Sequence, residues 1–143
     1  DYGFVGDIES VDASAFSTLL KSDAVPVIAP LTHNGDGQLL NTNADTMASA
    51  VASALAGTFR VTLVFCFELK GVMMNVADES SVIPLITPES YQNLKAGKIV
   101  VDGMIPKLDN GFAALQKGVY QIRITNTDGL ADGPDQGTFL RLK

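Results

Sequence analysis

Segments with strand character and segments with helix character alternate along this chain, an order that few folds accommodate. "RVTLVFCFE" is dense in β-branched and aromatic residues, as a strand requires. Ahead of it, "NADTMASAVASALAG" sets Met47, Val51 and Leu55 four residues apart, with Ala48 and Ala52 beside them. That spacing makes one buried helical stripe, and Gly57 suits its end. "YGFVGDIESV" reads as a strand. "DASAFSTLLKS" reads as a helix capped by Asp12, with Phe16, Leu19 and Leu20 on one face. "AVPVIAPL", residues 24–31, is a nearly continuous apolar run and is expected to be a strand covered on both sides. "THNGDGQ" carries Asn-Gly and Asp-Gly turn chemistry, with "LLN" as the return strand of a hairpin. "KGVMMN" follows the central strand as a turn and short extension. "TPESYQNLKAGK" offers Thr87 as an N-cap and Pro88 at the first helical position. From Met104 a further helix runs through Ile105, Leu108, Phe112 and Leu115 at steps of three, four and three. "VYQIRIT" and "GTFLRL" read as the closing strands, and "DGLADGPDQG" between them as a flexible loop.

No repeat or linker divides the 143 residues, so one domain is expected. Strands interleaved with helices predict an α/β fold, a three-layer sandwich with a mostly parallel central sheet. Ligands of such sheets bind beyond the carboxyl ends of the strands. That singles out residues 32–45, 68–75 and 125–130.

Charge narrows the function. The net charge of −6 comes with no basic cluster, which argues against a nucleic-acid partner. An anionic ligand would have to be held by a few local cations, by backbone N–H groups or by a metal. No apolar run is long enough for a bilayer span and no signal peptide is visible, so a soluble cytoplasmic protein is expected. The single cysteine, Cys66, excludes an internal disulfide framework and reads as a small buried hydrophobe. One His and one Cys make no zinc set, and His33 reads as an exposed turn residue. Walker and dinucleotide glycine fingerprints, a nucleophile elbow and a calcium-loop rhythm are all missing. Opening directly on "DYGFVGD", the chain reads as a trimmed form, a proteolytic product or part of something longer.

Two stretches carry candidate chemistry. "NTNAD", Asn41 to Asp45, crowds two amides and a carboxylate at a helix entrance, where backbone N–H groups are free. Capping needs only one of the three, which leaves ligand binding open for the others. "DGMIPK" puts Lys107 in the first turn of its helix, where the macrodipole disfavours a cation by roughly 0.5 kcal/mol. The placement becomes useful if an anion shares that helix end, and Gly103 has no side chain to block its approach. A solvated surface lysine is the alternative reading.

Together, "YGFVGDIESVD", "VPVIAPLTHNGDGQLLNTNADTMA", "LVFCFELKGVM" and "DGMIPKLDNGFAAL" resemble, in the right order, the C-terminal part of the acetylglutamate kinases of the amino-acid kinase family. The resemblance implies that residues 1–143 are a C-terminal, ATP-binding domain. It implies transfer of the ATP γ-phosphoryl group to the γ-carboxylate of an N-acyl-L-glutamate in arginine biosynthesis, with ATP and Mg2+ as cofactors. Under it Lys107 neutralises the transferring phosphoryl group and Asp45 organises the catalytic lysines. Asn41 holds the acylglutamate and Asn43 supports that wall. Glu68, Leu69, Lys70, Gly71, Val72 and Met73 contact the nucleotide, with Ile99, Val100, Val101, Gly103 and Met104. No metal ligand is implied.

Two departures bear on the resemblance. Phe67 and Glu68 stand where the family often has Thr-Asp or Ser-Asp. The family's N-terminal domain, with its glycine-rich loops, its own lysine and its substrate-binding arginine, has no counterpart here. The chain alone is therefore expected to be catalytically silent, and the domain face left open to favour self-association into homo-oligomers. Three readings stay open: the nucleotide-binding half of a kinase, a non-catalytic ATP-binding or regulatory module, and a structural relic of the fold. The acyl group, acetyl or succinyl, is also open.

Overall fold

The computed structural model describes residues 3–101 and 103–143; Tyr2 of the first expected strand and Asp102 of "DGMIPK" lie outside the described residues. The elements run in chain order as helix α1 (Ala13–Lys21), strands β1 (Leu31–His33) and β2 (Leu39–Asn41), helix α2 (Ala44–Leu55) and strand β3 (Thr62–Cys66). They continue with strand β4 (Leu85–Ile86), helices α3 (Pro88–Ala96) and α4 (Met104–Gln116), strand β5 (Gln121–Thr125), helix α5 (Thr127–Ala131) and strand β6 (Thr138–Leu140).

The helix starts are made by short polar side chains. The Asp12 carboxylate accepts from the amides of Ser14 and Ala15 at the head of α1, each at 3.0 Å. Thr87 and Ser90 form a reciprocal capping box with Pro88 just inside α3. Each device satisfies amides that the first helical turn leaves without carbonyl partners.

The sheet has the order β3-β5-β6-β4. β3 and β5 run parallel from Thr62 opposite Gln121 to Cys66 opposite Thr125, and β4 runs parallel to β6. β5 and β6 are antiparallel, with Ile124 opposite Thr138. Two of the three pairings are thus parallel, as the alternating pattern predicts. Alternation along the strands puts Leu63, Phe65, Ile86, Ile122, Ile124 and Leu140 on one face, where all are buried. α4 lies against that face at Gly111. A Cβ there would come within 2.6 Å of Leu140 Cδ1 and 3.2 Å of Ile122 Cγ2, so the glycine sets the helix–sheet spacing. α3 packs beside α4 through Tyr91 and Phe112, whose rings stack at 5.6 Å. On the opposite face the buried guanidinium of Arg123 donates to the carbonyls of Gly129 in α5 and Gln136 after it. α5 and its flanks so form the third layer.

Several expectations are corrected. Among the described residues of the first segment only Val5 makes a bridge, to Asn41, and Phe4 and Val5 are exposed. Residues 24–30 form no strand: Val25 is 86% and Val27 96% exposed. Pro26 and Pro30 have no N–H to donate to a ladder, and β3 is left as a sheet edge. Cys66 is exposed rather than buried, because it ends that edge strand on the face opposite Phe65. "DGLADGPDQG" is not wholly loop, since Asn126 caps α5 by accepting from Gly129 N–H at 2.8 Å. Among the described residues no helix is long and apolar enough to cross a membrane.

Candidate nucleotide site

The hairpin β1–β2 delivers the chain to the head of α2, and the intervening Thr42 is pinned. Its buried hydroxyl donates to Gly6 O at 3.0 Å and sits 3.1 Å from Thr32 Oγ1. Thr42 is not among the residues singled out from the sequence; its signal is a small polar side chain between two candidate amides. On either side the amides take different tasks. Asn43 is the α2 N-cap, its Oδ1 accepting from Thr46 N–H at 3.0 Å. Asn41 closes β2 through its backbone, while its exposed amide group has no hydrogen-bond partner among the described residues.

In the first turn of α2, Asp45 meets Lys107 of α4. Lys107 Nζ donates to both carboxylate oxygens, at 2.8 and 3.1 Å, and the side chains are only 20% and 19% exposed. Lys107 is therefore a half-buried, ion-paired residue and not a solvated surface lysine. The helix end around it offers fewer amides than a generic N-terminus. Pro106 has none, and Met104 N–H already donates to Val101 O at 3.1 Å.

Beyond the carboxyl end of β3 lies a cavity of about 360 Å3, within the range of small-molecule sites. Of the residues singled out from the sequence, Glu68, Leu69, Gly71, Val72 and Met73 line it from one side. Ile99, Val101, Gly103, Met104 and Lys107 line it from the other. Of the residues singled out as nucleotide contacts, Lys70 and Val100 do not reach it, and Asn41, Asn43 and Asp45 also lie outside its lining. Lys70 turns away to an ion pair with Glu79 at 2.6 Å, where that carboxylate raises the pKa of its ammonium. Val100 is buried in the core. Val76 joins the lining without having been picked out, since nothing in "NVADES" distinguishes it locally. Phe67 also lines the cavity and packs against the core, which explains an apolar ring at a position where the resemblance leads one to expect a hydroxyl.

The cavity's walls are chiefly aliphatic, with Glu68 and Lys107 as its charged groups among the described residues. Such a lining suits a flat heterocycle whose anionic end lies toward Lys107. A larger hollow of about 710 Å3, bordered by Asp7, Glu9, Phe16, His33 and Met47, lies between α1, the hairpin and α2. It contains none of the candidate site residues. The smaller cavity is the better candidate because it lies where an open α/β sheet places its ligand and has the paired cation at its border.

An α/β sheet of this order, with the lysine-bearing helix beside it, belongs to a known class: the family model described as "Amino acid kinase family" matches residues 1–126, and the chain is a member of that family. Among curated relatives, acetylglutamate kinase from Phocaeicola vulgatus is 51% identical over 141 residues, covering 99% of this chain and 54% of the relative. The crystal structure of smu.665 from Streptococcus mutans superposes with a TM-score of 0.82 at 30% identity, over 99% of this chain and 53% of that one. N-acetylglutamate synthase from Neisseria gonorrhoeae shares the fold, with a TM-score of 0.83 at 20% identity over 98% of this chain and 33% of that one. The chain thus spans about half the length of the curated relatives it matches.

Proposed function

We propose that residues 1–143 are the ATP-binding, C-terminal domain of an acetylglutamate kinase, a step of arginine biosynthesis. The Asp45–Lys107 ion pair at the border of the 360 Å3 cavity carries this reading. Identity of 51% to a kinase of that name supports the substrate class. ATP supplies the phosphoryl group, and the γ-carboxylate of N-acetyl-L-glutamate accepts it.

In this reading the ammonium of Lys107 neutralises charge on the phosphoryl oxygens, and the Asp45 carboxylate holds it at the border of the cavity. Phosphoryl transfer depends mainly on such aimed charge. Asn41 binds the acylglutamate with its unpartnered amide, and Asn43 fixes the helix entrance beside it. The aliphatic walls at 69–73 and 99–104 take the nucleotide base. Magnesium would accompany the triphosphate and shield its β- and γ-phosphates. In this reading the rest of the site, including most of the acyl pocket, lies in the part of such a kinase that residues 1–143 do not span, and these residues alone are expected to be catalytically silent or nearly so.

The test is complementation. This chain is mixed with the N-terminal half of a related acetylglutamate kinase, and acylglutamate-dependent ADP release is followed. Release above that of either half supports the reading. Binding of an ATP analogue with no release points instead to a non-catalytic nucleotide-binding module. Neither binding nor release would leave a structural domain.

A further inference from the structure

Thr138 opens β6 and is fully buried. Its hydroxyl accepts from Val72 N–H at 2.8 Å and donates to Ile83 O at 2.7 Å. Ile83 N–H in turn donates to Val72 O at 2.8 Å, and Met73 bridges Val82. One hydroxyl thereby ties β6 to both the cavity wall and the segment paired with it. The wall also approaches that hydroxyl very closely: a Cβ on Gly71 would lie 2.7 Å from Thr138 Oγ1 and 2.9 Å from Val82 Cγ1. The site is buried and has both a donor and an acceptor to satisfy. Only a hydroxyl on a short side chain does both here, and leaving either group unpaired in the interior is expensive.

We propose that Thr138 is a positioning residue for the nucleotide, fixing the Gly71–Val72–Met73 wall through its hydroxyl without touching the ligand. This rests on the reading of the cavity as the ATP site. The hydroxyl sets where the wall stands, and the wall sets the width of the cavity between residues 69–73 and 99–104.

Calorimetric titration of the chain with the ATP analogue AMP-PNP and magnesium tests it. Thr138→Ser keeps both hydrogen bonds and is expected to bind within about twofold of the parent. Thr138→Val and Gly71→Ala are each expected to bind about tenfold more weakly. Val119→Ala, in the core at the opposite end of β5, is the control: its melting temperature falls while its affinity stays parental. Parental affinity in Thr138→Val or Gly71→Ala overturns the proposal, as does an equal loss in Val119→Ala. If Thr138→Val does not fold, Gly71→Ala and Thr138→Ser decide alone. A parent chain that binds no AMP-PNP overturns the assignment of the cavity itself, which is a different failure.

Discussion

Lys107 and Asp45 meet across the contact between α2 and α4, each about one-fifth exposed. A pair this sheltered is screened less than a surface pair but still costs desolvation, so its role in stability is modest. Removing one partner leaves a half-buried charge. Lys107→Ala is expected to lower stability by about 1 kcal/mol in urea unfolding and to weaken AMP-PNP binding by tenfold or more. Asp45→Asn keeps a hydrogen-bond acceptor and should lose less stability. A Lys107→Ala chain that binds as tightly as the parent removes Lys107 from the site. Tyr91, packed against the same helix α4, gives a pH-dependent counterpart. Its hydroxyl donates to Asp109 Oδ1 at 2.8 Å, and burial first, then that carboxylate, pushes its pKa above the usual tyrosine value. The folded state then holds the proton where the unfolded state begins to lose it. Its contribution is whole below about pH 10 and shrinks as pH rises from there toward the raised folded value. Melting temperatures across the alkaline range should fall less steeply for Tyr91→Phe than for the parent.

At the scale of elements, the spacing of α4 from the sheet is set by what Gly111 lacks. Gly111→Ala would gain in helix propensity by about 1 kcal/mol. The new methyl, 2.6 Å from Leu140 Cδ1, forces overpacking of about 1–3 kcal/mol, so packing outweighs propensity. A lower urea midpoint is the expected result; a higher one would mean that α4 can rise off the sheet freely. The elements were read unevenly from the sequence. α2, α3 and α4 were legible because their stripes and caps are local: Asn43 or Asp45, then Thr87 with Pro88, stand beside the turns they start. α5 was missed although Asn126 is an ordinary cap, because five residues are too few for a periodic stripe. β4, with two residues, had no pattern to show.

For the whole molecule, the decisive feature is the uncovered side. Val25 and Val27 are exposed, β3 is a sheet edge, and an apolar cavity of about 320 Å3 lies between Ile28, Pro30, α2 and Leu63. Open edges and apolar patches favour association between copies. Sedimentation velocity should show concentration-dependent self-association of the chain, reduced by Val27→Lys. Monomeric behaviour at every concentration would mean that this side is adequately solvated. Asn41, Asp45 and Lys107 all stand out in "NTNAD" and "DGMIPK", yet the pairing of Asp45 with Lys107 follows only from the packing of α2 against α4.

The sequence by itself determined where most helices begin, that strands and helices alternate, and that "NTNAD" holds more polar residues than capping needs, because caps, turns and stripes are interactions within a few residues. The tertiary structure alone decided that the apolar run at 24–30 is exposed and that Cys66 faces out, since burial depends on what packs alongside. It also decided that Lys107 reaches a carboxylate 62 residues earlier and that Thr138 holds a wall 66 residues before it. Contacts between distant residues arise only when helices and strands pack, and no pattern within a single element encodes them.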